Sequence, residues 1–142
     1  MKIVDANVLL HAVNSADPKH AEARTWLVSA LSGSEPIGFA WVALLGFLRL
    51  STRAAVFARP LTIEQAVAAL GSWLAAPAAV HLNPTGRHLS LLDGLLRALG
   101  TGGNLVTDAH LAALALEHGA EVVSYDTDFA RFTGLRWSMP SS

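Results

Sequence analysis

Short apolar runs alternate with longer segments of helical character along this chain. The runs KIVDA, PIGFA and EVVSY are typical of short buried strands, LRW is a last strand candidate, and AVHL is a further short apolar segment. WVALLGFLRLSTR fits a helix or a strand by periodicity, and its length favours a helix. Strands that alternate with helices indicate a parallel sheet covered on both faces. The pattern therefore predicts a three-layer α/β/α domain with a central, mainly parallel sheet.

Capping residues and glycines predict where the first helices begin and end. In PKHAEARTWLVSALSG, Asp17 is the expected cap, Pro18 the first helical residue and Gly33 the stop signal. In LTIEQAVAALGSWLA, Thr62 and Gln65 form the pattern of a capping box. Apolar residues at helical spacing make one stripe on this second helix, comprising Ile63, Ala66, Val67, Leu70 and Leu74.

The C-terminal half predicts two further helices and a short one. A turn at NPTG precedes a helix from about Arg87 to Leu99, and the GTGGN loop follows it. TDAHLAALALEHG is expected to be a helix capped by Thr107 and ended by Gly119, and DTDFARF a short helix. Four large apolar residues in and just after WVALLGFLRLSTR are expected to pack in the core, although some could form an exposed patch for a partner: Trp41, Phe47, Leu48 and Phe57.

Composition restricts the class of protein. The 142 residues, 52% of them apolar and 15% charged, fit a single domain over residues 1–142. With no cysteine, disulfides and thiolate sites are excluded, and a cytoplasmic location is the default expectation. No apolar stretch approaches the roughly 20 residues that span a bilayer, so no membrane association is expected. The net charge of −1 gives no global attraction to nucleic acid, so any such contact must come from local arginines.

Three carboxylates occur where predicted strands end or helices begin. Asp5 ends the first strand, Asp126 directly follows EVVSY, and Asp108 stands in the first turn of the helix before that strand. In right-handed β-helix-β units, strand ends and helix starts meet at one edge of the sheet, where the sites of open α/β folds lie. We therefore expect all three side chains to point toward the same edge.

Each carboxylate also has a purely structural interpretation. Asp108 could favour the start of a helix, Asp126 could cap the helix of DTDFARF, and Asp5 could be a turn residue. Three such groups at one edge, without lysines beside them, would repel one another unless a cation were present. Oxygen-only ligands suit Mg²⁺ or Mn²⁺ better than zinc.

Three segments carry a resemblance to a known family. IVDANVLL near the start, LVTDAHLAALALEHG late in the chain and VVSYDTDFARF close behind resemble the PIN-domain family, specifically the VapC ribonuclease toxins of VapBC toxin–antitoxin pairs. The likeness covers nearly the whole chain, including GFLRLSTR and the final GLRW. It implies a compact α/β/α nuclease that cleaves RNA with Mg²⁺, a cognate VapB-type antitoxin that inhibits it, and a homodimer.

The resemblance also implies roles for individual residues. Asp5, Asp108 and Asp126 match the acidic residues of the family's metal site, and Asn7 and Ser124 match its polar supporting positions. Asp128 could be a fourth acidic member or simply a capping or surface acid. Many family members carry a glutamate in an E-x-x-R setting on the third helical segment, where GFLR places Gly46 ahead of Arg49. One ligand is therefore missing or supplied by another residue, and a single well-held metal ion is expected.

Further residues complete the predicted site. Thr107 could support the acids from its position beside Asp108, although a helix cap is an equally good interpretation. Arg49, Arg53 and Arg59 are the nearest approach to a basic patch and could bind RNA phosphates, with Arg131 as an additional candidate and solvated surface charge as the alternative.

Two other functions share features of this sequence. A haloacid-dehalogenase-like phosphatase would also place an aspartate after the first strand, but it needs a second aspartate two residues on, where this chain has Asn7, and a lysine beyond Lys19. A PIN-like module that has lost catalysis with Gly46, and that binds RNA or a partner, is the second rival. The sequence leaves that binding module open.

Overall fold

A five-stranded parallel sheet forms the centre of the fold. The computed structural model describes residues 1–141. The strands lie in the spatial order β3-β2-β1-β4-β5, and each neighbouring pair is parallel. Their bounds are β1 (Lys2–Val4), β2 (Ile37–Phe39), β3 (Ala79–His81), β4 (Glu121–Val123) and β5 (Trp137–Ser138).

Six α-helices accompany the strands. They are α1 (Ala6–Val13), α2 (His20–Leu31), α3 (Trp41–Ser51), α4 (Ile63–Leu74), α5 (His88–Leu99) and α6 (Val106–His118). Two short 3₁₀ turns cover Gly103–Leu105 and Thr127–Arg131. Within residues 1–141, none of the helices is both long and apolar enough to cross a bilayer.

Alternating strand residues divide the core into two layers of packing. On β1, Val4 packs with residues of α1, α2, α3 and α4, whereas Ile3 packs with α5 and α6. On β4, Val123 and Val122 make the same division. Because both faces of every central strand are covered, these strands are continuously apolar. The predicted three-layer α/β/α architecture is thus confirmed.

The strand order places a topological switch point between β1 and β4. The chain builds outward from β1 through β2 to β3, and then returns to add β4 and β5 on the other side of β1. In open α/β sheets, sites form at the carboxyl ends of strands beside such a reversal. Asp5 and Ser124 are the residues that directly follow the two strands concerned.

The helix α1 was not predicted from the sequence. It begins directly after Asp5, whose Oδ1 accepts a hydrogen bond of 2.7 Å from the backbone N–H of Ala6 and so caps the helix. Val8, Leu9 and Ala12 form its buried face. A helix of 8 residues is too short for periodicity to separate it from the apolar strand before it.

The expected starts of two other helices were wrong. Helix α2 begins at His20 rather than Pro18, and Asp17 instead accepts a bond of 2.7 Å from the Lys19 N–H in the turn before it. Helix α6 continues from the preceding 3₁₀ turn, so Thr107 lies inside its first turn and makes no capping bond. In both cases, the chain enters the helix through a turn that satisfies the first amides differently.

Other boundary predictions are confirmed. Thr62 and Gln65 form the capping box, and Gly119 ends α6 with a φ of 63°, a left-handed conformation that favours glycine. The predicted α4 stripe is only partly buried, because Ile63 and Val67 are exposed while Ala66 and Leu70 lie in the core. Phe47 and Phe57 are buried as expected, Leu48 is partly buried, and Trp41 is 50% exposed.

Candidate functional site

Asp5 is held rigidly at the carboxyl end of β1. Its backbone N–H donates to the Val123 carbonyl at 3.0 Å, which extends the β1–β4 ladder to the position of this residue. Because its Oδ1 caps α1, the backbone of Asp5 is fixed by the sheet on one side and its carboxylate by the helix on the other. The side chain therefore has a single orientation at the switch point.

Ser124 and Asn7 hold the second oxygen of Asp5. The Ser124 hydroxyl donates to Asp5 Oδ2 at 2.6 Å, and Asn7 Nδ2 donates to the same oxygen at 3.2 Å. Asn7 Nδ2 also donates to Ser124 Oγ at 2.9 Å. Ser124 is completely buried. These contacts bring together the two polar residues that the resemblance assigned to supporting positions.

The same serine links Asp5 to the loop that carries Asp126. The Asp126 N–H donates to Ser124 Oγ at 3.0 Å, and Asp126 Oδ1 in turn accepts from the Asp128 N–H at 2.9 Å. Asp126 thus caps the 3₁₀ turn at Thr127–Arg131, as its structural interpretation required. The cap uses Oδ1, and the other carboxylate oxygen takes no part in it.

Three carboxylates converge beside Asp5. Each of Asp108, Asp126 and Asp128 offers one oxygen, and these oxygens lie within 4.8 Å of one another. Asp5 is outside this group of three, although it lies close enough for its charge to act on Asp108. Asp128 is also 3.8 Å from Arg131 Nη1 in a largely exposed ion pair. The residue that the sequence left as an optional fourth acid is therefore part of the cluster.

The charges of this cluster are poorly compensated. Burial, followed by the negative charge of Asp126 and a hydrogen bond with it, raises the pKa of Asp108 to about 7. Burial also raises the pKa of Asp5, and the hydrogen bonds from Ser124 and Ala6 partly offset that effect. Within residues 1–141, no lysine or arginine nitrogen lies within 4.0 Å of Asp5, Asp108 or Asp126.

The donor set fits a hard divalent cation. All the converging ligand atoms are carboxylate oxygens, which Mg²⁺ and Mn²⁺ prefer. Burial and, after it, repulsion by Asp126 raise the pKa of Asp108, and a bound cation relieves that repulsion. Asp108, Asp126 and Asp128 would hold such an ion directly, with Asp5 beside them.

A cleft of about 310 Å³ opens next to the acids, between α3 and the first turns of α1 and α6. Asp5 and Asp108 both line it, together with Gly46 and Arg49 from α3. Thr107 also lines the cleft, although it makes no hydrogen bond to the acids.

The three predicted RNA-binding arginines are not brought to one cleft. Arg49 lines the cleft beside the acids, whereas Arg59 lines a separate cavity with Asn14 and Phe57. Arg53 lines neither of these two cavities. Of the predicted basic patch, Arg49 is the member that the fold places beside the acidic edge.

Sequence reasoning missed Tyr125. Its backbone N–H donates to Asn7 Oδ1 at 3.1 Å, and its hydroxyl donates to Glu22 Oε1 on α2 at 2.8 Å. The residue therefore ties the loop that carries Asp126 to both α1 and α2. The only signal in the sequence was its position between Ser124 and Asp126.

The raised pKa of Asp108 predicts how the stability of the metal-free protein depends on pH. Between the pKa of an unfolded aspartate, about 3.9, and the folded value of about 7, the folded protein binds more protons than the unfolded chain. Stability should therefore fall as pH rises through this range. In EDTA, we expect the melting temperature of the protein, relative to that of Asp108→Asn, to decrease from pH 5 to pH 8.

The variant serves as the internal control, because carboxylates elsewhere, such as Glu35 and Glu117 with their lowered pKa values, titrate in both proteins and cancel. If the melting temperatures of the two proteins change with pH in the same way from pH 5 to pH 8, the electrostatic description of the cluster is wrong.

A central parallel sheet with acids gathered at its switch point is accompanied by a family match over most of the chain. Residues 2–135 match the PIN domain family. Two curated relatives from Mycobacterium tuberculosis extend this result: Ribonuclease VapC37 is 57% identical over 140 residues, covering 99% of this chain and 97% of the relative. Ribonuclease VapC33 is 44% identical, covering 99% and 98%. The chain therefore belongs to the PIN-domain family, in its VapC branch.

Solved structures agree on the fold. A DNA-bound VapBC from Salmonella typhimurium aligns with a TM-score of 0.69 at 16% identity, over 97% of this chain and 96% of that one. The Mycobacterium tuberculosis toxin VapC20, described as cleaving the sarcin–ricin loop, aligns with a TM-score of 0.63 at 19% identity, over 96% and 99%. At these identities, the likeness concerns the fold alone.

Proposed function

We propose that this protein is a divalent-metal-dependent endoribonuclease that cleaves RNA phosphodiester bonds and acts as the toxin of a toxin–antitoxin pair. The observation that carries the proposal is the convergence of Asp108, Asp126 and Asp128 within 4.8 Å, beside Asp5. Within residues 1–141, the one lysine or arginine contact to these four acids is the ion pair of Arg131 with Asp128. The ribonuclease names of the 57% and 44% identical relatives support the choice of RNA as the substrate.

The proposed roles follow from the contacts of each residue. Asp108, Asp126 and Asp128 bind the ion, Asp5 completes the acidic edge, and we assign catalysis to Asp5, Asp108 and Asp126. When bound, Mg²⁺ or Mn²⁺ supplies charge neutralisation at the phosphate and activation of water. Ser124 and Asn7 orient Asp5 through their bonds to Oδ2, and Ser124 also positions the backbone of Asp126.

Arg49 is the proposed contact to the RNA backbone. It is exposed and lines the same cleft as Asp5 and Asp108, so its guanidinium can bind a phosphate next to the scissile one. Thr107 is exposed in the same lining and offers a hydroxyl to the substrate. Arg53 and Arg59 remain predicted contacts for more distant parts of an RNA.

Gly46 supports one alternative function. It lines the cleft from α3 without contributing a carboxylate, so a binding module that holds RNA or a partner without cutting it is the second candidate. The two functions differ in one observable. A nuclease shortens RNA when metal is added, whereas a binding module retains it intact.

Cleavage of RNA by the purified protein tests the proposal. We expect total RNA to be cleaved in millimolar Mg²⁺ or Mn²⁺ and to remain intact in EDTA, because the acids alone would repel the phosphate. The Asp126→Asn variant is the matched control for a contaminating nuclease. Binding of RNA without cleavage in either metal would favour the alternative.

The toxin role is tested by a second experiment. We expect the small protein encoded beside this chain to bind it and to stop cleavage, as the VapBC complexes of the structural neighbours suggest. Expression of the chain alone should arrest growth, and co-expression should restore it. If the neighbouring gene product does not affect cleavage, the toxin role is wrong and the ribonuclease activity stands alone.

A further inference from the structure

The cleft beside the acids has a mostly apolar lining with a few polar groups. Its volume of about 310 Å³ is at the lower end of the range for pockets that bind small molecules, roughly 300–1,000 Å³. Val42, Leu45, Leu50 and Leu111 supply apolar walls. Arg49 and Thr107 are the polar groups of the lining besides the two acids. This is more space, and more apolar surface, than a hydrated cation needs.

Gly46 keeps part of this space open, although its backbone conformation does not require a glycine. A Cβ added at Gly46 would meet only the Cβ of Ala6, at 3.4 Å, and no positive φ is recorded there. Ala6 also lines the cleft, so a longer side chain at position 46 would enter it. Glycine in the interior of a helix is less stable than alanine. Gly46 therefore leaves room in the cleft that a longer side chain would fill.

We propose that this cleft receives one unpaired nucleobase of the RNA, from a nucleotide adjacent to the scissile phosphate. The inference rests on the proposed ribonuclease function. Asp108 lines the cleft and is one of the three acids that would hold the cation, so a phosphate bound at that ion would lie beside the cleft. The base on the same or the next ribose is then the planar group within reach. The apolar walls contact its ring faces, the Thr107 hydroxyl bonds to its edge, and Arg49 keeps its proposed contact to the backbone phosphate.

An RNA that lacks the base tests this assignment directly. Two matched oligonucleotides carry an abasic nucleotide immediately 5′ or 3′ of the cleavage position. For the protein itself, we expect one of them to be cleaved with kcat/KM lower by about 10-fold or more, the order of effect that loss of one stacked base has. The other should be cleaved nearly as well as intact RNA.

Filling the cleft should abolish that difference. The variant Gly46→Leu should cleave intact RNA no faster than the unaltered protein cleaves the abasic RNA that it cleaves slowly. It should cleave intact and abasic RNA equally. Gly46→Met replaces this variant if the branched side chain impairs folding. Gly94→Leu is the control, because Gly94 is an exposed interior residue of α5 and a Cβ there meets nothing within 4 Å. Circular dichroism confirms folding of each variant.

Two outcomes would overturn the base pocket. Gly46→Leu could still distinguish intact from abasic RNA as the unaltered protein does, or it could slow both RNAs by the same factor. The same comparison by fluorescence anisotropy gives a readout that does not require cutting. If no RNA is cleaved, the proposed function fails. The base pocket fails separately if the affinity ratio of intact to abasic RNA is unchanged by Gly46→Leu.

Discussion

Replacing Asp108 with asparagine is expected to lower RNA cleavage at least ~100-fold, of the order seen when one positioned electrostatic group is removed from an active site. Asp108 is one of the three carboxylates that converge at the sheet edge, and it also lines the cleft beside Asp5. An amide keeps the size and the hydrogen-bonding capacity of the side chain but brings no negative charge to the cation. The loss should therefore fall on metal binding and on catalysis.

The fold of this variant should be preserved. The interaction of a carboxylate with the start of a helix contributes about 0.3–1 kcal/mol, and here the repulsion by Asp126 opposes it. Without metal at pH 5, where folded Asp108 binds a proton, we expect Asp108→Asn to melt within a few degrees of the parent protein. With millimolar Mg²⁺ or Mn²⁺, the parent should gain stability by binding the ion in its folded state alone, and the variant should gain much less.

Asp93→Asn is the matched control for Asp108→Asn. Asp93 is an exposed acid on α5 that pairs with Arg97, so its removal changes the net charge by the same amount without touching the cluster. Melting curves and cleavage time courses on the same preparations give both readouts. A folded Asp108→Asn protein that cleaves at the parent rate would remove this residue from the metal site.

Replacing Ser124 with alanine should damage both stability and activity. The buried hydroxyl donates to Asp5 and accepts from Asn7 and from the Asp126 N–H. Its removal leaves the Asp126 N–H without its partner and leaves Asp5 Oδ2 and Asn7 Nδ2 with only their mutual bond of 3.2 Å, which costs about 1–3 kcal/mol. Because the same bonds orient two of the acids, we also expect cleavage to fall roughly 10- to 100-fold, as for other groups that orient metal ligands.

The chain offers a matched control for this serine. Ser51 is also completely buried, yet its Oγ has no hydrogen-bond partner within residues 1–141. Ser51→Ala removes no interaction and should leave stability and cleavage unchanged or slightly improve stability. Urea unfolding gives the loss of stability in each variant. The difference between the two losses is the contribution of the Ser124 hydrogen bonds beyond that of burying a serine. Equal losses of stability in both would show that the Ser124 network contributes nothing specific.

The general location of the acidic edge could be predicted because it depends on chain direction alone. In a parallel sheet with right-handed connections, residues that follow strands and residues that begin helices reach the same edge. That rule placed Asp5, Asp108 and Asp126 together, and the structure brings them there. It could not decide which oxygens converge, since this depends on the side-chain orientations that Asp5 and Asp126 acquire by capping α1 and a 3₁₀ turn.

Local signals failed where the entry to an element was irregular. Asp17 and Thr107 have side chains that often cap helices, but in each case a preceding turn already satisfied the first amides of the helix. The apolar stripe predicted for α4 likewise included Ile63 and Val67, which are exposed. Periodicity identifies a face of a helix, whereas burial depends on the neighbours that the face meets.

By itself, the sequence determined the alternation of strands and helices, the three-layer class, and the acids at one edge, because apolar periodicity and chain direction are local properties. The tertiary structure alone decided the strand order around β1, the contacts of Ser124 with residues more than 100 positions away, and the cleft beside Gly46. These features arise from packing between elements distant in the chain. A single sequence carries no direct signal of which distant residues will meet, so they became visible only in the folded protein.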